Sequence, residues 1–412
     1  MKYQNIIDNM TLKEKAAFLS GKSEWQTRDF PRLDIPAIFC SDGPNGVRKQ
    51  AGAGDHLGIN PAVPATCFPT AAAMANSWDE ELEQRVGVAL GEESMEEDVN
   101  VLLGPGLNIK RNPLCGRNFE YFSEDPYLSG KMAAAFIRGV QSTGAAACAK
   151  HFAVNSQELR RMAMNAVVDE RTLREIYLTG FEIAIKEGGA KTVMSSYNEV
   201  NGVYANENEH LLKDILRDEW GFEGSVITDW GASNDHSLGV KNGSTLEMPT
   251  PGLDAARELL AGVESGKISE KDIDERVDEL LDLVLTTTEN AKHYKKVADK
   301  KALHEEHHKL ARLACENSAV LLKNEDGILP VGAKVQAAII GDFAFDPRYQ
   351  GAGSSMVNST KVDSIKDMLE TSGISVTGIV RGYQRDGKED EAMKKEAVDL
   401  AAVLMWFCFS SD

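Results

Sequence analysis

Residues 225–231 read Ser-Val-Ile-Thr-Asp-Trp-Gly, a short apolar strand followed at once by polar residues and a glycine. Similar segments recur between residues 35 and 250, and amphipathic stretches such as 79–97, 127–142 and 169–187 lie between them. Strands that alternate with helices predict parallel β-α-β units and an α/β fold. The other apolar segments lie at 37–40, 101–103, 146–149, 192–194 and 244–246.

The polar residues after these strands favour one of two α/β architectures. In a TIM-type (β/α)8-like barrel, the carboxyl ends of all strands meet at one mouth, so the polar residues would come together there. An open doubly wound sheet is the alternative that the pattern alone leaves open. Because polar residues follow so many of the strands, we predict the barrel.

The length of 412 residues is sufficient for more than one domain. We predict a barrel domain over 1–285, a polar linker over 286–310 and a second, incomplete α/β domain over 311–412. The second domain is indicated by the strand-like segment 334–342, which ends in a glycine turn. Helix- and strand-like segments alternate after it, as expected for the first part of a sheet.

Charge and composition exclude several classes of protein. The chain has 64 acidic and 45 basic residues, a net charge of −19, which argues against nucleic-acid and anionic membrane partners. Its longest apolar run, 400–409, is shorter than the ~20 residues that span a bilayer. The amino terminus has no apolar signal region, so we predict a cytoplasmic protein. The six cysteines form no C-x-x-C pair, and we predict no metal and no cofactor.

The polar residues after the strands have structural interpretations when taken singly. Asp42 precedes a glycine as in many turns, His151 beside Lys150 could be a satisfied buried histidine, and Asp229 could cap a helix. Together they supply what glycoside hydrolysis needs: a carboxylate, charged groups for sugar hydroxyls and an aromatic wall. A second carboxyl that would protonate the leaving oxygen is missing. The residues gathered at the mouth would be Asp42, Arg117, Lys150, His151, Arg161, Tyr197, Asp229 and Trp230.

Five long motifs follow one another along the chain. They are SDGPNGVR at 41–48, GPGLNIKRNPLCGRNFEYFSEDPY at 104–127, KHFAVNSQE at 150–158, MSSYNEVNG at 194–202 and VITDWGA at 226–232. In this order they resemble the β-glucosidases of glycoside hydrolase family 3, and the resemblance covers essentially the whole chain.

The resemblance implies a barrel followed by an α/β sandwich domain, with the active site at their junction. It implies a retaining β-glucosidase that acts on terminal non-reducing β-D-glucosyl residues through two carboxyl groups ~5–5.5 Å apart. Asp229 matches the nucleophile, Tyr197 the residue beside it and Trp230 the stacking wall. Ser354 matches a residue that reaches the site from a second-domain loop. The positions that match hydroxyl ligands are Asp42, Arg117, Lys150, His151 and Arg161.

Other specificities of the family are less favoured. The N-acetylglucosaminidase branch carries a Gly-His-Gly-type sequence with a histidine acid/base, whereas this chain has Ala-Val-Asn-Ser at 153–156. A β-xylosidase is also less favoured. We therefore expect a β-glucoside or oligosaccharide as substrate, and a homo-oligomer is left open.

The family's acid/base is a glutamate on a second-domain loop, after a strand of the type Asp-Val-Val-Leu-Leu-Phe-Ile-Gly-Leu. Here the corresponding residues, 402–412, read AVLMWFCFSSD. We interpret these eleven residues as a frameshift product and expect the acid/base glutamate to be lost beyond residue 412. Glu120, Glu124 and Glu199 lie in motifs that we interpret as structural. A truncated, catalytically inert sugar-binding protein is the alternative.

Overall fold

The computed structural model describes residues 1–52, 54, 60–330, 336–402 and 405–408, with backbone only for 336 and 405–408. The chain forms two compact units. The first contains Met1–Ala319 and Gln350–Thr360, and the second contains Val320–Tyr349 and the described residues from Lys361 onward. The predicted domain limits at 285 and 310 both fall within the first unit and stay predictions.

The first unit is built on a curled sheet of five parallel strands in chain order, β1-β2-β3-β4-β5. A doubly wound sheet would reverse its strand order, so this order confirms the TIM-like barrel and excludes the alternative. The sixth apolar segment joins β5 through a single bridge between Ile227 and Leu246. The strands are β1 Cys40–Asp42, β2 Val101–Leu103, β3 Ala146–Phe152, β4 Thr192–Ser195 and β5 Ser225–Thr228.

Helices connect the strands, and the three predicted amphipathic segments are helical. Asp79 and Asp125 cap two of them by accepting hydrogen bonds from backbone N–H groups, and Pro126 follows Asp125 at the first helical position. Two segments, Leu173–Leu178 and His210–Glu219, are π-helical. The longer helices are α1 Leu12–Phe18, α2 Glu80–Glu96, α3 Pro126–Ser142, α4 Thr179–Lys186, α5 His236–Asn242, α6 Asp254–Ser265, α7 Glu270–His293 and α8 Lys300–Asn317. Short α-helices lie at Gln4–Ile7, Ala71–Met74 and Glu170–Thr172.

Both faces of the sheet are buried, which explains why its strands read as continuous apolar runs. Leu102 of β2 packs in one hydrophobic cluster with residues of α2 and α3, such as Phe136. Its neighbours Val101 and Leu103 point the other way and pack in a second cluster with Cys148. The strands are thereby fixed, and so are the residues at their carboxyl ends.

A buried cluster of charges joins α8 to α2. His307 places Nδ1 2.7 Å from Glu93 Oε1 and Nε2 2.9 Å from Glu92 Oε2, and Thr66 N–H donates to Glu93 at 2.9 Å. Burial opposes the charged form of His307, but the bonds to both glutamates raise its pKa to about 9. Burial likewise disfavours the Glu93 carboxylate, but bonds from His304, His307 and Thr66 lower its pKa to about 2.

We expect His307→Gln to destabilise the first unit in a pH-dependent way. A histidine with a raised pKa stabilises the folded state fully below its unfolded pKa near ~6.5, and this contribution is lost as pH rises through the folded value. The loss on substitution should be about 1–3 kcal/mol near pH 6, should shrink as pH rises and should be nearly absent above about pH 9. Urea unfolding across this range measures it. The control is His293→Gln at a 78% exposed side chain; equal effects of the two substitutions would contradict the prediction.

The second unit contains a parallel three-stranded sheet in the order β7-β6-β8, with strands β6 Gln336–Ile340, β7 Ser375–Val380 and β8 Met405–Cys408. Helix α9 Ile365–Ser372 connects β6 to β7, and α10 Glu391–Ala401 precedes β8. The α/β pattern predicted here is confirmed. Within the segment interpreted as a frameshift product, residues 403–404 and 409–412 lie outside the described residues, and that interpretation stays a prediction. Across the described part of the chain, no helix is long and apolar enough to cross a membrane.

Candidate active site

The carboxyl ends of the barrel strands bring the predicted site residues to one place. Asp42 is the last residue of β1, Lys150 and His151 belong to β3, and Asp229 follows β5 directly. The prediction ended the third strand at residue 149, whereas β3 continues to Phe152 and carries both polar side chains. Polar groups within a buried strand need partners, and these residues find theirs on neighbouring strands and loops.

Asp42 and Lys150 form a buried ion pair, with 2.8 Å between Asp42 Oδ1 and Lys150 Nζ. The two residues are 5% and 3% exposed. Burial disfavours the Asp42 carboxylate, but the charge and hydrogen bond of Lys150 and a bond from the Ser354 hydroxyl lower its pKa below the ordinary value. Burial opposes the Lys150 ammonium, but Asp42 and Glu120 raise its pKa. Both groups are therefore charged at neutral pH.

Ser354 reaches Asp42 from a segment that packs with the first unit. Gln350–Thr360 belongs to that unit, although the sequence analysis placed the residue on a loop of the second domain. Arg48 Nε donates to the Met356 carbonyl at 2.8 Å, and strand Asn358–Ser359 pairs in parallel with Pro64–Ala65. These contacts hold the segment, and with it the Ser354 hydroxyl, at the site.

Burial and nearby cations set the charge of His151, and Arg117 sets its tautomer. Burial and the positive charges of Arg117, Lys150 and Arg161 lower the pKa of His151 well below its ordinary value, so the ring is neutral. Arg117 Nη2 lies 3.0 Å from His151 Nε2, and because a guanidinium only donates, Nε2 accepts. The proton is therefore on Nδ1, 3.2 Å from the Tyr121 hydroxyl. His151 Nε2 lies 3.7 Å from Asp229 Oδ2 and has no proton to give it.

Two glutamates that the sequence analysis did not assign to the site hold its arginines. Arg117 Nη2 donates to Glu120 Oε1, and Arg161 Nη1 donates to Glu158 Oε2 at 2.9 Å. Glu158 Oε1 also lies 3.6 Å from Arg117 Nη1. The available signal was spacing, because each glutamate lies three residues from its arginine within or beside a predicted motif.

Asp229 has one satisfied and one free carboxylate oxygen. Its Oδ1 accepts from the Trp230 N–H at 2.8 Å, while the buried Oδ2 has no hydrogen-bond partner among the described residues. Burial raises the pKa of Asp229, and Arg117, the Trp230 N–H, Lys150 and Arg161 oppose this without reversing it. The cations around Asp229 therefore favour its ionised form, but burial outweighs them.

Aromatic side chains flank Asp229. The Tyr197 hydroxyl donates to the Trp230 carbonyl at 2.9 Å, and burial and the charge of Asp229 raise the Tyr197 pKa above its ordinary value. The Arg161 guanidinium lies over the Tyr197 ring at 4.7 Å. Trp230 packs against Trp25, with ring centroids 4.9 Å apart, and Nε1 of Trp230 donates to the Glu24 carbonyl. Trp25 was missed because no local pattern connects it to Trp230.

The structure thus brings all nine predicted residues together within the first unit. Their individual roles stay predictions. What the arrangement offers chemically is a buried carboxylate with a free oxygen, surrounded by cations, hydrogen-bonding groups and an indole ring. This set suits a neutral polyhydroxylated ligand with an electrophilic carbon.

The chain matches known proteins over most of its length. The model of the glycosyl hydrolase family 3 N-terminal domain matches residues 22–283. Thermostable β-glucosidase B of Acetivibrio thermocellus is 48% identical over 396 residues, which cover 95% of this chain and 52% of the relative. An exo-α-(1→6)-L-arabinopyranosidase of Bifidobacterium breve is 42% identical over 408 residues, covering 96% and 53%.

Solved structures also match almost the whole chain. A crystal structure of a Bifidobacterium adolescentis family 3 β-glucosidase matches with a TM-score of 0.90 and 41% identity, covering 98% of this chain and 57% of that one. β-Glucosidase 3B of Thermotoga neapolitana, in complex with α-D-glucose, matches with a TM-score of 0.84 and 37% identity, covering 98% and 56%. The chain spans about half the length of the curated relatives it matches. With its barrel and the matched motifs, the chain belongs to glycosyl hydrolase family 3.

Proposed function

We propose that the protein is a retaining β-glycosidase of the β-glucosidase type, which releases terminal non-reducing β-D-glucosyl residues through a glycosyl-Asp229 intermediate. The observation that carries this proposal is the buried Asp229 Oδ2, which has no hydrogen-bond partner in the described part of the chain, whereas the other carboxylates of the site are paired with cations. A free carboxylate oxygen beside hydrogen-bonding groups for hydroxyls is what a glycosidase nucleophile requires.

In the first step, Asp229 Oδ2 forms a bond to the anomeric carbon while the bond from that carbon to the leaving oxygen breaks. The leaving oxygen takes a proton from an acid or departs as an anion. In the second step, water gives a proton to a base and attacks the same carbon, which releases Asp229. Asp42, Lys150 and Ser354 supply acceptors and donors for the sugar hydroxyls, and Trp230 offers a surface for the apolar face of the ring.

The acid/base is the part of this mechanism for which the described site offers no free group. Glu120 and Glu158 are each held by an arginine, so their carboxylate oxygens already accept hydrogen bonds within the site. We propose that neither acts as the acid. Hydrolysis by the 412-residue chain then depends on a leaving group that needs no protonation.

This proposal predicts a strong dependence on the leaving group. Release of dinitrophenol from 2,4-dinitrophenyl β-D-glucoside should be measurable, whereas cellobiose should turn over about 10²–10⁴-fold more slowly or not at all. Spectrophotometric and glucose-release assays on the same purified chain measure the two rates. Similar rates on both substrates would show that an acid/base is present.

The nucleophile is tested directly by trapping. Incubation with 2,4-dinitrophenyl 2-deoxy-2-fluoro-β-D-glucoside should add one fluoroglucosyl mass to the protein, on the peptide that contains Asp229. Heat-denatured chain is the control for nonspecific labelling. Binding of glucose without labelling of the folded chain would instead support the inert sugar-binding alternative.

The preferred sugar is proposed from the relatives. A β-glucosidase and an exo-α-(1→6)-L-arabinopyranosidase both match almost the whole chain, and identity is higher to the β-glucosidase. We therefore propose glucose as the preferred glycone. Dinitrophenyl β-D-glucoside, β-D-xyloside and α-L-arabinopyranoside, compared at equal concentration, test this preference, and faster release from either pentoside would contradict it.

A further inference from the structure

The charges of the site are arranged in pairs that exclude Asp229. Among the described residues, Asp42 pairs with Lys150, Glu120 with Arg117 and Glu158 with Arg161. The positive charge of Arg117 nevertheless acts on Asp229, and the charge of Asp229 in turn raises the pKa of Arg117. Both side chains approach the same atom, since His151 Nε2 lies 3.0 Å from Arg117 Nη2 and 3.7 Å from Asp229 Oδ2. A buried arginine and a carboxylate with a shared neighbour would ordinarily form an ion pair.

Arg117 is held away from that pairing by three acceptors. Nη2 donates to Glu120 Oε1 and to His151 Nε2, and Nη1 lies 3.6 Å from Glu158 Oε1. Glu120 is 3% exposed, and its negative charge also acts on Lys150. The strongest of these three acceptors is Glu120, because it is a buried carboxylate in direct contact with the guanidinium.

We propose that Glu120 is a positioning residue that holds Arg117 off the nucleophile and so keeps Asp229 Oδ2 free for attack. This role rests on the proposed function of Asp229. A guanidinium bonded to Oδ2 would occupy the lone pair that attacks the anomeric carbon and would lower the nucleophilicity of the carboxylate. Glu120 therefore acts through Arg117 and does not itself contact the reacting atoms.

The surroundings of both carboxylates set the sign of the expected pH effect. Glu120 faces Arg117, Lys150 and Tyr121. Removing its charge leaves Arg117 uncompensated, and an uncompensated cation favours the ionised form of Asp229. The groups that act on or face Asp229 are Arg117, Lys150, His151, Arg161, Tyr197 and Cys148. A Glu120 substitution keeps all six groups but removes a charge partner of Arg117 and Lys150.

The test is Glu120→Gln in the complete 412-residue chain. The rate constant for trapping by the dinitrophenyl fluoroglucoside should fall about tenfold or more, and the acidic limb of its pH profile should move about one unit lower. Glu120→Asp, which keeps the charge, should restore the acidic limb. Glu223→Gln removes an exposed carboxylate before the amino end of β5 and should change neither value. In both Glu120 variants, the trapping rate constant could fall tenfold while the acidic limb of its pH profile stays where it is in the unsubstituted chain. That result would indicate a merely structural role and overturn the proposal.

A crystal structure of the Glu120→Gln variant gives a readout that does not depend on turnover. Arg117 should move within hydrogen-bond distance of Asp229 Oδ2. An Arg117 that stays on His151 and leaves Oδ2 free would overturn the proposal even if activity is lost. Failure of the unsubstituted chain to be trapped would count against the proposed nucleophile alone, because the crystallographic result still decides the role of Glu120.

Discussion

Asp229→Asn should lower the rate of trapping by the dinitrophenyl fluoroglucoside on the order of 10³-fold or more, as expected when a catalytic nucleophile is removed. The amide cannot form the glycosyl ester, whereas its oxygen can still accept the Trp230 N–H that Oδ1 accepts now. Trapping is followed by intact-protein mass spectrometry, with dinitrophenol release as a second readout. Labelling of the variant at an unchanged rate would assign the nucleophile elsewhere.

Asp229→Asn should lower the trapping rate without lowering the stability of the fold. Asp229 is 9% exposed, and burial raises its pKa, so its charge is held at an energetic cost. Asp229→Asn removes that charge and should leave the free energy of unfolding unchanged or raise it by about 1 kcal/mol. The matched control is Asp235→Asn, because Asp235 caps α5 and asparagine caps equally well. A large loss of stability in Asp229→Asn would make a structural role the better explanation of lost trapping.

The barrel could be predicted because each strand combines an apolar run with a polar end. This pattern involves only residues that are consecutive in the chain, so it can be recognised from the sequence alone. The segment 244–246 shows where it fails, since Leu246 joins β5 through one bridge and no regular strand forms. Apolar residues indicate burial there, but they do not determine how many ladder hydrogen bonds a short segment makes.

All but two of the predicted site residues, Arg161 and Ser354, lie in the five motifs, and residues without such a motif were mostly missed. Trp25 lies far from Trp230 in the chain, and only the folded barrel brings the two rings together. The counter-ion role of Glu120 was missed for a related reason, because a glutamate three residues from an arginine is common on any surface helix. The pKa direction of Asp229 could not be predicted either. It is the difference between burial and nearby cations, and the sequence reveals the cations more readily than the burial.

The ion pair of Asp42 and Lys150 should be essential for the stability of the first unit. Lys150→Met removes one partner and leaves a buried, uncompensated carboxylate, which should cost about 3–5 kcal/mol in the free energy of unfolding. Glucose binding, measured by calorimetry, should be lost as well, since Asp42 would then be driven toward its protonated form. The control is Lys267→Met. Lys267 forms an exposed ion pair with Asp235, and this pair should contribute at most about 1 kcal/mol to the free energy of unfolding.

Two further measurements, the pH dependence of stability and a double substitution, distinguish the loss of the Asp42–Lys150 ion pair from a change in packing by the methionine. The lowered pKa of Asp42 contributes stability above its unfolded value near ~3.9, and this is lost as pH falls. The raised pKa of Lys150 contributes stability below its unfolded value near ~10.4, which is lost as pH rises. The cost of Lys150→Met should thus be greatest between these limits and smaller below about pH 4.

Asp42→Asn combined with Lys150→Met should be more stable than Lys150→Met alone, because no unpaired charge remains buried. Equal stability of the single and double variants would show that methionine packing, rather than the stranded Asp42 charge, sets the loss.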